Sequence, residues 1–336
     1  MNRETSRPRP VATAAATTVT RHVEVHRLAV AGRQPLIARG VGDRVCRVWL
    51  DTSRFAAVEA MATATLTLGP DAGALYQRGW ARSSTGRPWP ALDDYQQALT
   101  LYQQAGNRAG EAATLNNIGH VYDRLGDRQR ALDHFHRALP ILREVGDRAG
   151  EAGTLNNIGH VYAGLGDRQR AIDHYHQALS IGREVGDRAG EATTLNNIGG
   201  VYNRLGDRRR ALGYYHQALP IRREVGDRAG EATSLNNIGH VYDALGDRRR
   251  ALGYYHQALP IRREVGDRAG EAVTRYNIAM VHQAAGDLDQ AIRELEHVVD
   301  LDRQVDHPDL EADTAVLEQL RQQRAEHRGS EPPAGP

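Results

Sequence analysis

The sequence predicts an all-α solenoid built from stacked antiparallel helix pairs. The triplet Gly-Asp-Arg begins at Gly126 and returns every 20 residues as far as Gly266. Between these triplets the apolar residues recur at i, i+3, i+7 or i, i+4, i+7, which is the spacing of a helix with one buried face. Alternate segments differ in sequence, so that two of them make one 40-residue repeat. Such a repeat cannot bury its own apolar face and has to stack on its neighbours.

Each Gly-Asp step is suited to a turn between two helices. Glycine ends a helix readily because it adopts the left-handed conformation without strain. Aspartate begins the next helix well because its carboxylate accepts the free N–H groups of the first turn. Each 20-residue segment is therefore interpreted as one helix of about 17 residues, about 26 Å long, and a tight turn.

The region before the regular repeats is expected to be less ordered. Residues 1–21 are rich in Arg, Ala and Thr and are interpreted as a disordered N-terminus. Residues 22–65 form a poorly defined segment, in which the alternation of HVEVHRLAV and the short apolar run VCRVWL allow a small hairpin within 22–50. Residues 66–105 are interpreted as a degenerate repeat, whose second helix Pro88 and Pro90 are expected to shorten.

The regular repeats and the C-terminus follow in a simple order. We expect five repeats, at 106–145, 146–185, 186–225, 226–265 and 266–305. Residues 306–329 are predicted to form a single capping helix with a polar outer face, which a solenoid needs for solubility. Residues 330–336 are expected to be a disordered tail.

The two helices of a repeat have complementary contact faces. In the second repeat a core stripe on the first helix lies beside Gly159, where the missing side chain lets another helix approach closely. The second helix presents two small residues on either side of one tyrosine. The residues concerned are Leu155, Ile158 and Tyr162 on the first helix and Ala171, Tyr175 and Ala178 on the second.

This pattern resembles the tetratricopeptide repeat. The residues that carry the resemblance are Leu155, Ile158-Gly159, Tyr162, Gly166, Ala171, Tyr175 and Ala178, repeated through 106–305. The 40-residue length is similar to the repeats of kinesin light chains, of the spindle scaffold Pins and of bacterial multi-repeat regulators. Leu155 and Arg183 depart from the aromatic and the proline that are common in the family. The resemblance implies a right-handed superhelix whose concave groove is lined by the first helix of each repeat.

Composition and motifs argue against several functions. The 43 basic residues are all Arg and are balanced by 42 acidic ones, so no basic surface for nucleic acid is indicated. A Lys-containing phosphate loop is excluded, and no HExxH or GxSxG motif occurs. The single cysteine, Cys46, excludes a disulfide framework, and no apolar run is long enough for a membrane span. The histidine rows follow from duplication. We therefore expect a cytoplasmic protein without enzyme activity, cofactor or metal.

The strongest functional signal is a pair of adjacent asparagines. LNNIGHVY at 115–122 recurs at 155–162 and 235–242, and at 195–202 as LNNIGGVY. On a helical wheel Leu115, Ile118 and Tyr122 face the core, and the asparagines face a second stripe. An Asn amide offers two donors and one carbonyl acceptor, which suits the main chain of an extended peptide. The alternative is that the asparagines bridge adjacent helices.

The candidate peptide-binding set combines the asparagines with side chains beside them. Repeats 186–225 and 226–265 differ at four places, three of which lie on the proposed groove. This variation indicates that main-chain contacts hold the peptide and that flanking side chains set its identity. The set consists of Asn116, Asn117, His120, Asp123, Arg124, Asn156, Asn157, His160, Asn196, Asn197, Asn203, Arg204, Asn236, Asn237, His240, Asp243, Tyr276 and Asn277.

The sequence thus predicts a protein–protein interaction scaffold that binds a peptide segment of a partner. The alternative is the sensor arm of a bacterial STAND-type signalling ATPase or of a transcription regulator, because WLDTSRFAAVEAMATA (49–64) resembles the stretch that leads into such repeats. An enzyme that uses the N-terminal segment is a third hypothesis, which no catalytic motif supports. The sequence specifies neither the partner nor the oligomeric state.

Overall fold

The computed structural model describes residues 10–305 and 307–330, with side chains for 18–305 and 307–327. These residues form sixteen helices and no strand. The chain divides into two compact units, which we call the N-terminal half (Met1–Leu165) and the C-terminal half (Gly166–Pro336). Within each half, sequential helices pack in antiparallel pairs, and the predicted all-α repeat solenoid is confirmed.

Helices of 17 or 18 residues account for most of the regular repeats. The N-terminal half contains α1 (Pro10–Ala31), α2 (Pro35–Asp51), α3 (Phe55–Leu66), α4 (Ala72–Ser84), α5 (Pro88–Gln104), α6 (Arg108–Arg124), α7 (Arg128–Glu144) and α8 (Arg148–Leu165). The C-terminal half contains α9 (Arg168–Glu184), α10 (Arg188–Arg204), α11 (Arg208–Glu224), α12 (Arg228–Ala244), α13 (Arg248–Glu264), α14 (Arg268–Ala284), α15 (Leu288–Val305) and α16 (Leu310–Ser330).

The Gly-Asp turns have the conformation that the sequence predicts. Between α10 and α11, Gly206 has a φ of 81°, in the left-handed region. Asp207 accepts a hydrogen bond from the Arg210 N–H through its Oδ1 at 3.0 Å. The same glycine conformation and the same cap recur at the other Gly-Asp turns of the described repeats, so each helix ends and begins at a fixed position.

The helices of a pair meet where a glycine faces an aromatic ring. A Cβ added to Gly239 on α12 would lie 2.7 Å from Cε1 of Tyr255 on α13, and Tyr255 is almost fully buried. The last repeat has a complementary arrangement, because Ala279 replaces the glycine and the smaller Leu295 replaces the ring. The same glycine–ring contact is made by Gly79 with Tyr95, Gly119 with Phe135 and Gly199 with Tyr215.

The expectation of disorder over 1–21 and of a hairpin within 22–50 is wrong for the described residues. Residues 1–9 lie outside the described part of the chain, and α1 and α2 cover 10–31 and 35–51 as helices. Val19 and Val23 pack against the core of α2 and α3, and buried His26 hydrogen-bonds the Thr65 hydroxyl at 2.8 Å. These residues recur at helical spacing, a signal that the strand-like alternation of the valines concealed.

Two further boundaries differ from expectation. Pro88 does not shorten α5, which has 17 residues, because it occupies the first turn, where its missing N–H has no helical partner. At the other end α16 begins at Leu310 and includes Ser330, whereas Asp306 and residues 331–336 lie outside the described residues. Leu317 and Leu320 of α16 are buried against α15.

Arginines from two helices hold a buried glutamate near the start of α8, α10 and α12. Glu151 on α8 accepts a hydrogen bond from Arg143 of α7 at 2.7 Å and pairs with Arg148. Burial alone raises the pKa of Glu151, but the hydrogen bonds from both arginines hold it below its ordinary value. Further carboxylates with lowered pKa values and Arg partners are Glu144, Glu224, Glu264 and Glu271.

The glycine–ring contact predicts opposite effects for two glycines in one repeat. Gly239→Leu is expected to lower the free energy of unfolding by about 1–3 kcal/mol, because the added side chain meets the buried Tyr255 ring. In Gly253→Leu on α13 the added side chain enters open space. This change is expected to raise the free energy of unfolding slightly, since Leu favours a helix over Gly by roughly 1 kcal/mol. Urea unfolding followed by circular dichroism measures both. Equal midpoints would contradict the assigned contact.

The glutamate–arginine contacts predict a loss of stability in acid. A carboxyl group with a lowered folded pKa contributes its full stabilisation above the unfolded value of 4.5 and loses it as the pH falls below that value. Glu151→Gln is expected to lower the free energy of unfolding near pH 7 by about 1–3 kcal/mol and to weaken its dependence on acid. Urea midpoints of both proteins, measured from near pH 7 to below pH 4.5, test this expectation. A variant that unfolds in parallel with the unchanged protein at every pH would contradict it.

Candidate peptide-binding face

The asparagines occupy equivalent positions on the even-numbered helices α6 to α14, and we call the surface that they form within each half the amide face. The first asparagine of each pair forms a first row: Asn116, Asn156, Asn196 and Asn236. The second asparagine forms a second row: Asn117, Asn157, Asn197, Asn237 and Asn277. All nine side chains are half-buried, between the core stripe and solvent.

The two rows are linked by hydrogen bonds between adjacent repeats, which we call rungs. Each rung runs from the Nδ2 of a second-row asparagine to the Oδ1 of a first-row asparagine one repeat earlier. The rungs join Asn157 to Asn116 at 3.3 Å, Asn237 to Asn196 at 3.2 Å and Asn277 to Asn236 at 3.2 Å. The asparagines named here therefore bridge adjacent helix pairs, as the alternative interpretation expected.

The rungs use only one end of the first-row amide. The Oδ1 of Asn196 accepts from Asn237 and also from the Ser234 hydroxyl at 3.4 Å. Within the described residues of the C-terminal half, the Nδ2 groups of Asn196 and Asn236 donate to no protein atom, and neither is enclosed away from solvent. Each of these two amides therefore has its acceptor engaged in a rung and its two donor hydrogens available to a ligand.

His120 completes a rung in the N-terminal half. Asn157 Nδ2 lies 2.9 Å from His120 Nε2 as well as 3.3 Å from Asn116 Oδ1. An amide nitrogen only donates, so the His120 Nε2 is the acceptor and the ring is neutral. Partial desolvation of the ring lowers the pKa of His120, in agreement with that form.

The predicted flanking residues also bridge neighbouring repeats. The Asn203 Nδ2 lies 3.3 Å from the exposed His240 ring, and its Oδ1 accepts from Arg208 at 2.7 Å. In the N-terminal half Asp123 Oδ2 lies 3.7 Å from Nε2 of the exposed His160. Arg204 is exposed and Asp243 half-buried, on the same face.

Arg124 is directed away from the asparagine rows. Its Nη1 donates to the Ser83 carbonyl at 3.0 Å, beside a cavity of about 150 Å³ that Pro88 and Val121 also line. The structure thus brings Arg124 to the preceding turn, whereas the other candidate residues of α6 lie with the asparagines.

Two aromatic residues outside the predicted set lie beside the amide face of the N-terminal half. Tyr76 and Trp80 on α4 occupy the positions of Asn116 and His120 one repeat earlier. Their rings are 6.2 Å apart in an edge-to-face arrangement, and Trp80 is 41% exposed. Asn117 interacts with the Tyr76 hydroxyl and offsets part of the rise in the Tyr76 pKa that burial causes, so a tyrosine occupies the position of the first-row asparagine. The 40-residue register, continued from Gly119 to Gly79, would have located both.

In the C-terminal half, helix α14 also carries larger side chains at these positions. Tyr276 follows Asn236 in the first row, and Met280 follows His240. Both side chains are half-buried on α14. Of these two, Tyr276 is in the predicted set and Met280 is not.

Catalytic or metal chemistry finds no support among the described residues. Burial raises the pKa of the Cys46 thiol to about 12, so the nucleophilic thiolate is disfavoured. In residues 10–305 and 307–330 no group of three or more His, Cys, Asp or Glu side chains is arranged to hold a metal ion. None of the helices in these ranges has the length and apolar character needed to cross a membrane.

Comparison with known proteins identifies the class of this helix-pair solenoid. The sequence matches the tetratricopeptide repeat family at residues 91–144, 110–184, 150–224, 190–264 and 230–304. These matches cover more than half of the chain, which belongs to the tetratricopeptide repeat family. No curated protein sequence matches it. The proposed degenerate repeat at 66–105 is matched only from residue 91 and stays a prediction.

Three solved structures show the same fold. BtubC from P. vanneervenii is 23% identical with a TM-score of 0.56, over 67% of this chain and 91% of that one. A STAND protein with a tetratricopeptide repeat sensor from Pyrococcus horikoshii is 14% identical with a TM-score of 0.68, over 86% of this chain and 44% of that one. A Rap protein complexed with Competence and Sporulation Factor is 14% identical with a TM-score of 0.58, over 92% and 99%. At these identities the likeness concerns the fold alone. Membership of the family suggests a protein-interaction scaffold.

The direction of the rungs predicts different stabilities for two isosteric changes. Asn237→Asp replaces the rung donor by an acceptor that faces Asn196 Oδ1, and is expected to lower the free energy of unfolding by about 1–2 kcal/mol. Asn196→Asp keeps an acceptor for Asn237 and Ser234 and is expected to change the free energy of unfolding by less than about 0.5 kcal/mol. Both variants add one negative charge, so each is the control for the other. The opposite order of urea midpoints would show that the amide orientations are reversed.

Proposed function

We propose that the amide face binds an extended segment of a partner protein. The proposal rests on the different roles of the two ends of the Asn196 and Asn236 amides. In Asn196 and Asn236 the carbonyl closes a rung, and the two donor hydrogens have no partner among the described residues. A peptide main chain presents carbonyl acceptors at regular intervals, and such donors match them without reading the side chains.

The rungs make these donors suitable for binding. A side chain held in one orientation before binding loses little conformational entropy when the ligand arrives. Asn196 is fixed through Oδ1 by two hydrogen bonds, from Asn237 and Ser234. The structural role of the asparagines therefore supports the binding role.

Selectivity for the partner would come from the variable positions beside the rows. On the C-terminal half these positions offer Arg204 and His240 next to Asp243, and then the larger Tyr276 and Met280. On the N-terminal half Trp80 and Tyr76 offer an aromatic surface. We therefore expect a polar segment of the partner along the asparagine rows and an apolar or aromatic side chain of the partner against α4 or α14.

A pair of charge-matched double variants tests the proposal. Peptides selected on the full chain from a random display library would be labelled, and their binding measured by fluorescence anisotropy. Asn196→Asp with Asn236→Asp removes the free donors and keeps the rung acceptors, so binding is expected to weaken by about tenfold or more. Asn237→Asp with Asn277→Asp breaks the rungs and keeps the first-row donors, so the folded fraction is expected to bind much more tightly than the first pair.

The two pairs separate binding from folding. Circular dichroism on each sample gives the folded fraction, to which the dissociation constants are referred. Selected peptides that bind both double variants and the unchanged chain equally would refute the proposal.

A second candidate is the sensor arm of a signalling ATPase. It is favoured by the STAND protein with a tetratricopeptide repeat sensor, which aligns with 86% of this chain at a TM-score of 0.68, while this chain spans 44% of that protein. In that case the partner segment on the amide face would be the signal, and a signalling ATPase would respond to it. An ATPase module in a neighbouring gene, binding this chain only when a selected peptide is present, would support it. An adjacent ATPase indifferent to the peptide would refute it.

A further inference from the structure

Ion pairs along one edge of the repeats follow a strict rule. The arginine that begins a first helix pairs with a glutamate 36 residues later, at the end of the second helix of the same repeat. The Nη2 to Oε2 distances are 2.8 Å for Arg108 and Glu144, 2.8 Å for Arg188 and Glu224, and 2.7 Å for Arg228 and Glu264. In each case the same arginine also pairs with a glutamate three residues later on its own helix.

The rule fails at Arg268, the first residue of α14. The residue 36 positions later is Gln304, which carries no charge. The glutamate three positions later, Glu271, is held instead by Arg275 at 3.0 Å and by Arg263 at 2.8 Å. Within the described residues the Arg268 side chain forms neither an ion pair nor a hydrogen bond, and it is exposed.

Arg268 lines a cavity of about 310 Å³ between the α13–α14 turn and α15. Arg262, Arg263 and Leu301 also line it. The two acidic residues in its wall are already neutralised, because Asp267 pairs with Arg262 and Glu271 with Arg263. Among the described residues the guanidinium of Arg268 therefore has no compensating negative charge, and the space beside it is large enough for a side-chain carboxylate.

We propose that Arg268 binds a carboxylate from an acidic segment of a partner protein, in the place that glutamate takes in other repeats. Three equivalent arginines hold a glutamate carboxylate at 2.7 to 2.8 Å, so this position is already built for that geometry. The planar guanidinium also matches a carboxylate with two parallel donors. Arg268 precedes Asn277 by nine residues, about 14 Å along α14, so the site is separate from the amide face.

Restoring the missing glutamate tests the proposal on the full chain. The probe is fluorescein-labelled pentaglutamate with a blocked C-terminus, titrated by anisotropy at low ionic strength. Gln304→Glu supplies an internal partner for Arg268 and is expected to weaken probe binding by about tenfold. Gln97→Glu on α5 adds the same charge far along the chain and is expected to leave binding unchanged.

A second matched pair removes the cation itself. Arg268→Gln is expected to weaken probe binding by about tenfold, and Arg209→Gln, which removes an exposed arginine of α11, by less than about twofold. A raised thermal midpoint of Gln304→Glu shows independently that the introduced carboxylate reaches Arg268. Equal binding of the probe to the unchanged chain, Gln304→Glu and Arg268→Gln overturns the proposal. Inorganic phosphate that saturates the site where pentaglutamate does not bind overturns it as well, because the site would then take small anions.

Discussion

The contact on which the rest of the structure depends is the close approach of two helices at a glycine that faces a buried ring. Gly119 and Phe135, or Gly239 and Tyr255, allow no Cβ between the helices, so axial position and rotation are both fixed. This rotation places Leu235 and Ile238 in the core and leaves Asn236 and Asn237 at the boundary with solvent. A polar pair in the middle of a helix is tolerated because the glycine contact decides which face is buried.

The amides at that boundary couple one repeat to the next. A rung joins residues 41 positions apart and contributes on the order of 1 kcal/mol, less than the burial of an isoleucine in the same repeat. The rung matters because it fixes the orientation of the first-row amide. Because each rung consumes the first-row carbonyl, donors remain on the surface at every repeat of the described C-terminal half that carries a first-row asparagine. The ion pairs at the start of the first helices act within a repeat instead, since they tie its two helices together until Gln304 breaks the series.

Much of the fold and of the amide face could be predicted from the sequence because the same local pattern occurs in several repeats. The Gly-Asp turns, the glycine opposite a tyrosine and the positions of the asparagines all follow from local chemistry and a 40-residue period. Helix α1 was not predicted, because the strand-like alternation of its valines concealed the helical spacing of Val19, Val23 and His26, which contact α2 and α3. The direction of each rung also depends on which amide lies closer to the neighbouring repeat, which a single repeat does not reveal. Trp80 and Tyr76 were not predicted because the degenerate repeat has Tyr76-Gln77 in place of the asparagine pair that identified the other positions.

The proposed binding mode is that Asn196 and Asn236 hold the partner segment through Nδ2 while Oδ1 remains in the rung. The most direct test is a crystal structure of the full chain with a peptide selected for binding. We predict main-chain carbonyl oxygens of the peptide about 2.7–3.2 Å from the Nδ2 of Asn196 and Asn236, with the rungs from Asn237 and Asn277 retained. A peptide bound on the odd-numbered helices, or rungs broken to receive it, would contradict the claim.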